Sequence, residues 1–294
     1  MRKAFPAFAA LALATAGHAA PGPVPVQPEA RTIPFGALRL TTLRDADFNA
    51  ANDGKTFGID ASPNAVARVL MEAGLPGDSV PLSVDVLLVR GITGRIVLID
   101  TGLGPKMGGK LLASLAAAGV LPAQVTDVLI THSHGDHVGG VVGSNGRPAF
   151  PNAVVRMSRQ EWAWMQGQAG SRAIVNAIRG QVRPFEPGAT LLPGIQAVPI
   201  VGHTPGHSGY RISSGRAHLL DIGDTAHSAV VSLAEPEWGI AFDTDKKLGK
   251  AMRRTVLARL AQTHELVYAP HFPFPGTGRI VANGGGYKWQ PADK

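Results

Sequence analysis

The chain has no cysteine among its 294 residues. That absence excludes disulfides and a lipid anchor on a cleavage-site cysteine, and it confines metal ligands to histidine, aspartate and glutamate. Long hydrophobic runs are missing too. The longest, Ala4 to Ala16, is too short to serve as a permanent membrane span. Concentrated charge is also lacking: 28 basic residues against 21 acidic ones give +7, but they are scattered. The densest basic cluster, Lys246-Lys247 to Arg253-Arg254, reads as the exposed face of one helix, so a nucleic-acid partner is not implied. No repeat and no linker interrupts residues 35–294, which are expected to form one domain.

What is present begins with a leader pattern. Arg2 and Lys3 precede the apolar run, and Gly17-His18-Ala19-Ala20 supplies small residues for cleavage after Ala19 or Ala20. Residues 1–20 are therefore expected to be a signal peptide, residues 21–34 a Pro-rich linker, and the mature chain periplasmic or secreted without a membrane anchor. Within the domain the pattern predicts strands at 38–43, 84–90, 95–100, 127–131, 153–157, 195–200, 209–213, 217–222 and 266–269. Helices are expected over 62–73, 110–118, 158–165, 173–179 and 246–261, and residues 44–61 read as loop. The elements form two β-rich halves, each ending in helices, which predicts an α/β fold of two similar layers.

The most informative segment is Thr131-His-Ser-His-Gly-Asp-His137, placed where the apolar strand Asp127-Val-Leu-Ile ends. Imidazole and carboxylate are the usual ligands of zinc and similar cations, and strand ends are where α/β enzymes place their chemistry. His207, Asp224 and His271 each fall at another strand end, so one edge of the sheets could gather them all. Five histidines and two aspartates suffice for two ions and a shared carboxylate. His218 and His264 read as ordinary surface or core histidines. No Ser or Cys nucleophile stands in a recognisable triad.

The pattern His-x-His-x-Asp-His, then His, Asp and His, with Leu98-Ile-Asp-Thr-Gly102 ahead of it, resembles the metallo-β-lactamase superfamily over about residues 80–280. The resemblance implies a four-layer αβ/βα sandwich and two divalent ions. Zinc suits the donor set, and manganese, iron or cobalt also fit. It further implies His132, His134 and His207 on one ion, Asp136, His137 and His271 on the other, and Asp224 as the bridge. Asp136 and Asp224 would help position or accept the proton, and Asp100 would orient the ligand loop. His203 and His227 are expected to support the site rather than to ligate. Trp162, Trp164, Phe272 and Phe274 are the candidate pocket aromatics.

True β-lactamases are disfavoured, because one group needs a Cys ligand and the others lack the bridging Asp. The run Ala269-Pro-His-Phe-Pro-Phe-Pro-Gly276 is most similar to the branch containing methyl parathion hydrolase, whose members cleave organophosphate triesters, aryl esters and lactones. The expected function is thus hydrolysis of small neutral esters by a metal-bridging hydroxide. The alternatives are an acyl-homoserine lactonase, a glyoxalase II-like thioesterase, and a non-catalytic periplasmic metal-binding protein. A dedicated lactonase typically places a Tyr over the substrate carbonyl, and here only Tyr210 is near. The partner is a small-molecule substrate, and the resemblance is compatible with a homodimer. Substrate choice is expected to rest on loops 44–61, 143–152 and 228–245.

Overall fold

The alternation along one strand explains the layering. In β3 (Ser79–Arg90), Val86 and Leu88 enter one core while Leu87 and Val89 enter another. A strand turns successive side chains to opposite faces, so a strand buried on both must lie between two layers. The computed structural model describes residues 23–292, and the expected signal peptide lies outside them. In chain order the first sheet holds β1 (Ala30–Phe35), β2 (Leu38–Ala51), β3, β4 (Ile96–Ile99), β5 (Asp127–Leu129) and β6 (Val154–Arg156). The second holds β7 (Thr190–Leu192), β8 (Ile195–Pro199), β9 (Ser208–Ser214), β10 (Ala217–Asp221), β11 (Leu266–Tyr268), β12 (Thr277–Asn283) and β13 (Gly286–Pro291), ordered β13 to β7 across the sheet.

Leu87, Val97 and Ile99 meet Ile195, Tyr210, Ile212 and Leu219 between the sheets. The outer face of the first sheet is covered by α2 (Leu111–Ala117), α4 (Arg159–Gly167) and α5 (Arg172–Ile178) through Leu111, Leu115, Met165, Val175 and Ile178. The outer face of the second is covered by α7 (Lys246–Thr263) through Val256, Leu257 and Leu260. The remaining helices are α1 (Pro63–Glu72) and the short α3 (Gly135–Val138) and α6 (Val231–Ala234). The order is helix, sheet, sheet, helix, the expected α/β sandwich.

Two parallel arrangements position the site. β4, β5 and β6 run parallel in the first sheet, and β10 and β11 in the second. Asp100 directly follows β4, the His132 segment follows β5, Asp224 follows β10 and His271 follows β11. The carboxyl ends of parallel strands thus open on one edge of the sandwich, where α/β folds bind ligands. The remaining ligand-bearing segment is the connection from β8 to β9.

Some elements differ from the sequence reading. Residues 44–51, expected as loop, continue β2 and pair with β3 through an irregularity at Arg44/Ala46. Ala30–Phe35, all but its last residue in the expected linker, pairs with β2 as an edge strand. The hairpin of β12 and β13 was not expected from sequence; its strands carry Gly278, Lys288 and Gln290, which blur the alternation. Among the described residues, no helix is long and apolar enough to cross a membrane.

Candidate metal centre

Asp100 is the pivot of the motif loop. It stands at φ +64°, a left-handed conformation uncommon for a side-chain-bearing residue. Its carboxylate repays the strain by receiving three donors: the Thr131 N–H and hydroxyl, each at 2.8 Å, and His137 Nδ1 at 2.8 Å. The last bond leaves the His137 Nε2 lone pair free to face the site. His271 is set the same way, its Nδ1 donating to the Ser83 carbonyl at 2.7 Å. His203 Nδ1 is held by Asp243 Oδ1 at 3.0 Å.

The free nitrogens converge. His203 Nε2 lies 2.9 Å from His134 Nδ1 and 3.2 Å from His132 Nε2, and His132 Nε2 lies 3.0 Å from His134 Nδ1. His137 Nε2 lies 3.3 Å from His271 Nε2. Asp224 spans both sets. Its Oδ2 is 3.2 Å from His203 Nε2 and 3.4 Å from His132 Nε2, and its Oδ1 is 3.1 Å from both His137 Nε2 and His271 Nε2. Asp136 completes the second set, with Oδ2 3.6 Å from His271 Nε2. Two groups therefore could each hold a cation: His132, His134, His203 and Asp224, and Asp136, His137 and His271.

The donor set fits a metal on physical grounds. Imidazole nitrogens gathered at about 3 Å around a shared carboxylate need positive charge among them, and where a proton supplies it here a divalent cation can take its place. Protonation state reflects the same crowding. Burial, reinforced by His203, drops His134 to about 4. Burial would likewise depress His203, but Asp224 and Asp243 override it and raise that ring to about 9. Asp224 is opposed by its burial yet held well below the usual carboxylate range by His137 and His271.

The sequence reading exchanges two histidines. His207, expected as a ligand, has both nitrogens occupied by backbone: Nδ1 donates to the Ile200 carbonyl at 2.7 Å, and Nε2 accepts the Asp224 N–H at 3.0 Å. It sets the turn that presents Asp224. That turn also needs Gly223, at φ +46°, whose Cβ would fall 2.6 Å from His207 Nε2. His203, expected only to support the site, turns its Nε2 into that donor group instead. The other six expected ligands are brought together. His227 lies beside them, its Nε2 3.1 Å from Asp224 Oδ2 and its ring parallel to His271 at 5.5 Å.

A cleft of about 1330 Å³ opens onto the cluster, and His134, Asp136, Asp224, His227 and His271 form its floor. Phe48, Leu82, Val84, Leu103, Met107 and Phe242 make its walls largely apolar. The expected pocket aromatics do not line it. Phe272 is fully buried against Trp289, since its strand end turns it into the outer core. Trp162 packs on the helix-side core, and Phe274 lies under the Arg44 guanidinium at 5.5 Å. Trp164 stands beside His134, with ring centres 6.0 Å apart, but off the cleft wall. Tyr210 is buried and donates to the Ile130 carbonyl at 2.6 Å, so it does not reach the cleft. Of the three loops expected to set substrate choice, 44–61 and 228–245 contribute wall residues and 143–152 does not.

Sequence reading missed three supporting groups. Asp243 carries His203, Arg253 on α7 holds Asp243 Oδ2 at 3.3 Å, and Glu161 bonds to both the motif loop and the β8–β9 connection. Only Glu161 had a visible signal, as the fourth residue of Ser158-x-x-Glu161, and that pattern ordinarily reads as a helix cap.

The family model "Metallo-beta-lactamase superfamily" matches residues 79–271. Metallo-beta-lactamase domain-containing protein 1 of Xenopus laevis is 34% identical over 177 residues, 59% of this chain and 64% of that protein. The chain thus spans somewhat under two thirds of that relative's length. Among solved structures, AidC, a dizinc quorum-quenching lactonase in complex with a product, N-hexanoyl-L-homoserine, superposes with a TM-score of 0.86 at 27% identity, covering 91% of this chain and 98% of AidC. The hydrolase AbOPH of the β-lactamase superfamily superposes with a TM-score of 0.83 at 28% identity, covering 92% and 99%.

Proposed function

This chain belongs to the metallo-β-lactamase superfamily, and we propose that it is a metal-dependent hydrolase that holds two divalent ions, zinc first among them, and cleaves small neutral esters bearing an apolar group. The observation that carries the reading is the placement of a His/Asp cluster with a shared Asp224 at the floor of an apolar cleft. His132, His134, His203 and Asp224 would hold one ion and Asp136, His137 and His271 the other, and bound there the ions would supply an acidified water and a Lewis acid for the ester.

The residues contribute the rest. Asp224 directs one oxygen to each donor group and so fixes their separation. Asp100, Ser83 and Asp243 hold His137, His271 and His203 in the tautomer whose free nitrogen faces inward. Asp136 is partly exposed and stands on the cleft floor, placed to accept a proton at its carboxylate. Phe48, Leu82 and Phe242 exclude water from the apolar arm of the substrate.

N-acyl-homoserine lactones are the first candidate, because the cleft walls suit an acyl chain and AidC, similar over most of the chain, is a lactonase. Among the described residues no tyrosine lines the cleft, which favours a broader substrate range, aryl esters and organophosphate triesters included, as in the methyl parathion hydrolase branch that residues 269–276 resemble. Export belongs to the same proposal, resting on Arg2, Lys3 and the apolar run that follows. The test is a panel of an aryl acetate, an acyl-homoserine lactone, methyl parathion, a cephalosporin and a glutathione thioester. Metal-dependent turnover of at least one of the first three is expected. Turnover confined to the cephalosporin or the thioester would reject the proposed substrate class.

A further inference from the structure

Glu161, on the first turn of α4, is fully buried. Its two oxygens are divided between two separate loops. Oε1 accepts the Ser133 N–H at 2.8 Å and the Ser133 hydroxyl at 2.6 Å, between His132 and His134. Oε2 accepts the Thr204 hydroxyl at 2.6 Å and the Gly206 N–H at 3.1 Å, in the segment that follows His203. Four donors satisfy a buried carboxylate, whose desolvation would otherwise be costly. The approach is close by construction: a Cβ on Gly206 would fall 2.1 Å from the Glu161 nitrogen, and Ser158 at the head of the same helix donates to the Gly206 carbonyl at 2.7 Å.

His132 and His134 come from one loop and His203 from the other, yet all three converge on the same donor group. The two loops also meet where the Ser208 N–H donates to the Thr131 carbonyl at 3.0 Å, but that bond lies outside the ligand-bearing turns. We propose that Glu161 is the positioning residue of this one ion site, a clamp that holds the turn bearing His132 and His134 at a fixed distance from the turn bearing His203. The Asp136, His137 and His271 group stands apart from it, tied instead to Asp100 and Ser83. The clamp rests on the two-ion reading above and adds that Glu161 touches the turns of one site only.

The variant to make is Glu161→Gln, which keeps the shape but leaves a single acceptor oxygen, so that one of the two backbone N–H groups loses its partner. Zinc-reconstituted wild type and variant are titrated with a competing chelator, and the two dissociation constants are compared alongside far-UV circular dichroism, kcat and KM. In the variant one ion is expected to weaken about 10–100-fold, the usual cost of losing a group that supports a ligand, while the other keeps its wild-type affinity. kcat should fall and KM should stay near the wild-type value, since Glu161 does not line the cleft. Equal weakening of both ions, or of neither, in a folded variant overturns the clamp. If Glu161→Gln does not fold, the double variant Ser133→Ala with Thr204→Val removes both hydroxyl contacts with Glu161 in place. A smaller, still one-sided loss is then expected, and unchanged affinities overturn the proposal. Wild type that binds fewer than two ions would overturn the two-ion reading itself, a result distinct from a variant that matches an intact two-ion wild type.

Discussion

His203 and His207 lie four residues apart in Gly202-His-Thr-Pro-Gly-His207, and both are buried beside Asp224. What separates them is the bond made by the second nitrogen. His203 gives Nδ1 to a carboxylate and keeps Nε2 for the site, whereas His207 gives both nitrogens to backbone. No residue pattern encodes that choice, because either histidine satisfies the family's spacing. His203→Ala is therefore expected to reduce bound zinc from two ions per chain to one. His207→Ala is expected to retain both ions and to cost about 1–3 kcal/mol of stability through the unpaired Asp224 N–H and Ile200 carbonyl. Metal analysis with denaturant unfolding of each variant decides; the reverse pattern would restore His207 as the ligand. A second residue-scale expectation concerns Asp85, buried on β3. Burial pushes its carboxyl well above the ordinary range, Asp47 adds to the shift and Arg44 opposes it. A carboxyl raised in the folded state keeps its proton when the unfolded chain has lost its own. Stability then falls as pH rises above the unfolded value of about 4 and levels off only beyond the folded one. Asp85→Asn cannot titrate, so its unfolding midpoint should exceed wild type at pH 8 and approach it near pH 4.5. A gap that is absent, or that widens toward acid, would contradict this.

At the scale of elements, α7 does more than cover the second sheet. Asp245 caps it by accepting the Leu248 N–H at 2.9 Å, and Arg253 turns inward from its middle. Arg253 is buried and reaches Asp243 Oδ2 as well as the Pro236 carbonyl at 3.2 Å, so the helix anchors the segment that carries Phe242 over the cleft. Removing one partner of a buried ion pair leaves the other charge stranded, so Arg253→Met should cost about 3–5 kcal/mol and should raise KM for apolar esters through the loosened Phe242 wall. Denaturant unfolding and steady-state kinetics check both; a loss under about 1 kcal/mol would show that Arg253 behaves as a surface ion pair. The basic spacing over 246–254 was legible as a helix, but the inward turn of Arg253 was not, since an exposed and a buried arginine look alike in sequence. β2 shows the complementary failure. Its far half, Arg44-Asp-Ala-Asp-Phe-Asn-Ala-Ala51, has no β-branched residue, and its alternation of Ala46, Phe48 and Ala50 with Asp45, Asp47 and Asn49 is carried by weak strand formers, so it is a strand because β3 pairs with it. That pairing brings Phe48 opposite Leu82 on the cleft wall, so the substrate-facing surface was the part least readable in advance.

Across the whole molecule, the readable part is the part that the fold repeats. Each half ends parallel strands at the same edge, and Asp100, His132, Asp224 and His271 follow β4, β5, β10 and β11 at their carboxyl ends. Strand-end position together with residue type was enough to find six of the seven clustered groups. The walls come from segments with no such periodic signal, and the supporting groups Glu161 and Asp243 come from elements distant in sequence from the ligands they hold. The central claim is that two ions at the floor of an apolar cleft drive ester hydrolysis. The direct test is to titrate the metal-free protein with zinc while recording bound metal and the rate of hydrolysis of an N-acyl-homoserine lactone and an aryl acetate. The account predicts no turnover without metal and a rate that rises to its plateau at two ions per chain. A plateau at one ion, or no turnover of either ester at full occupancy, would contradict it.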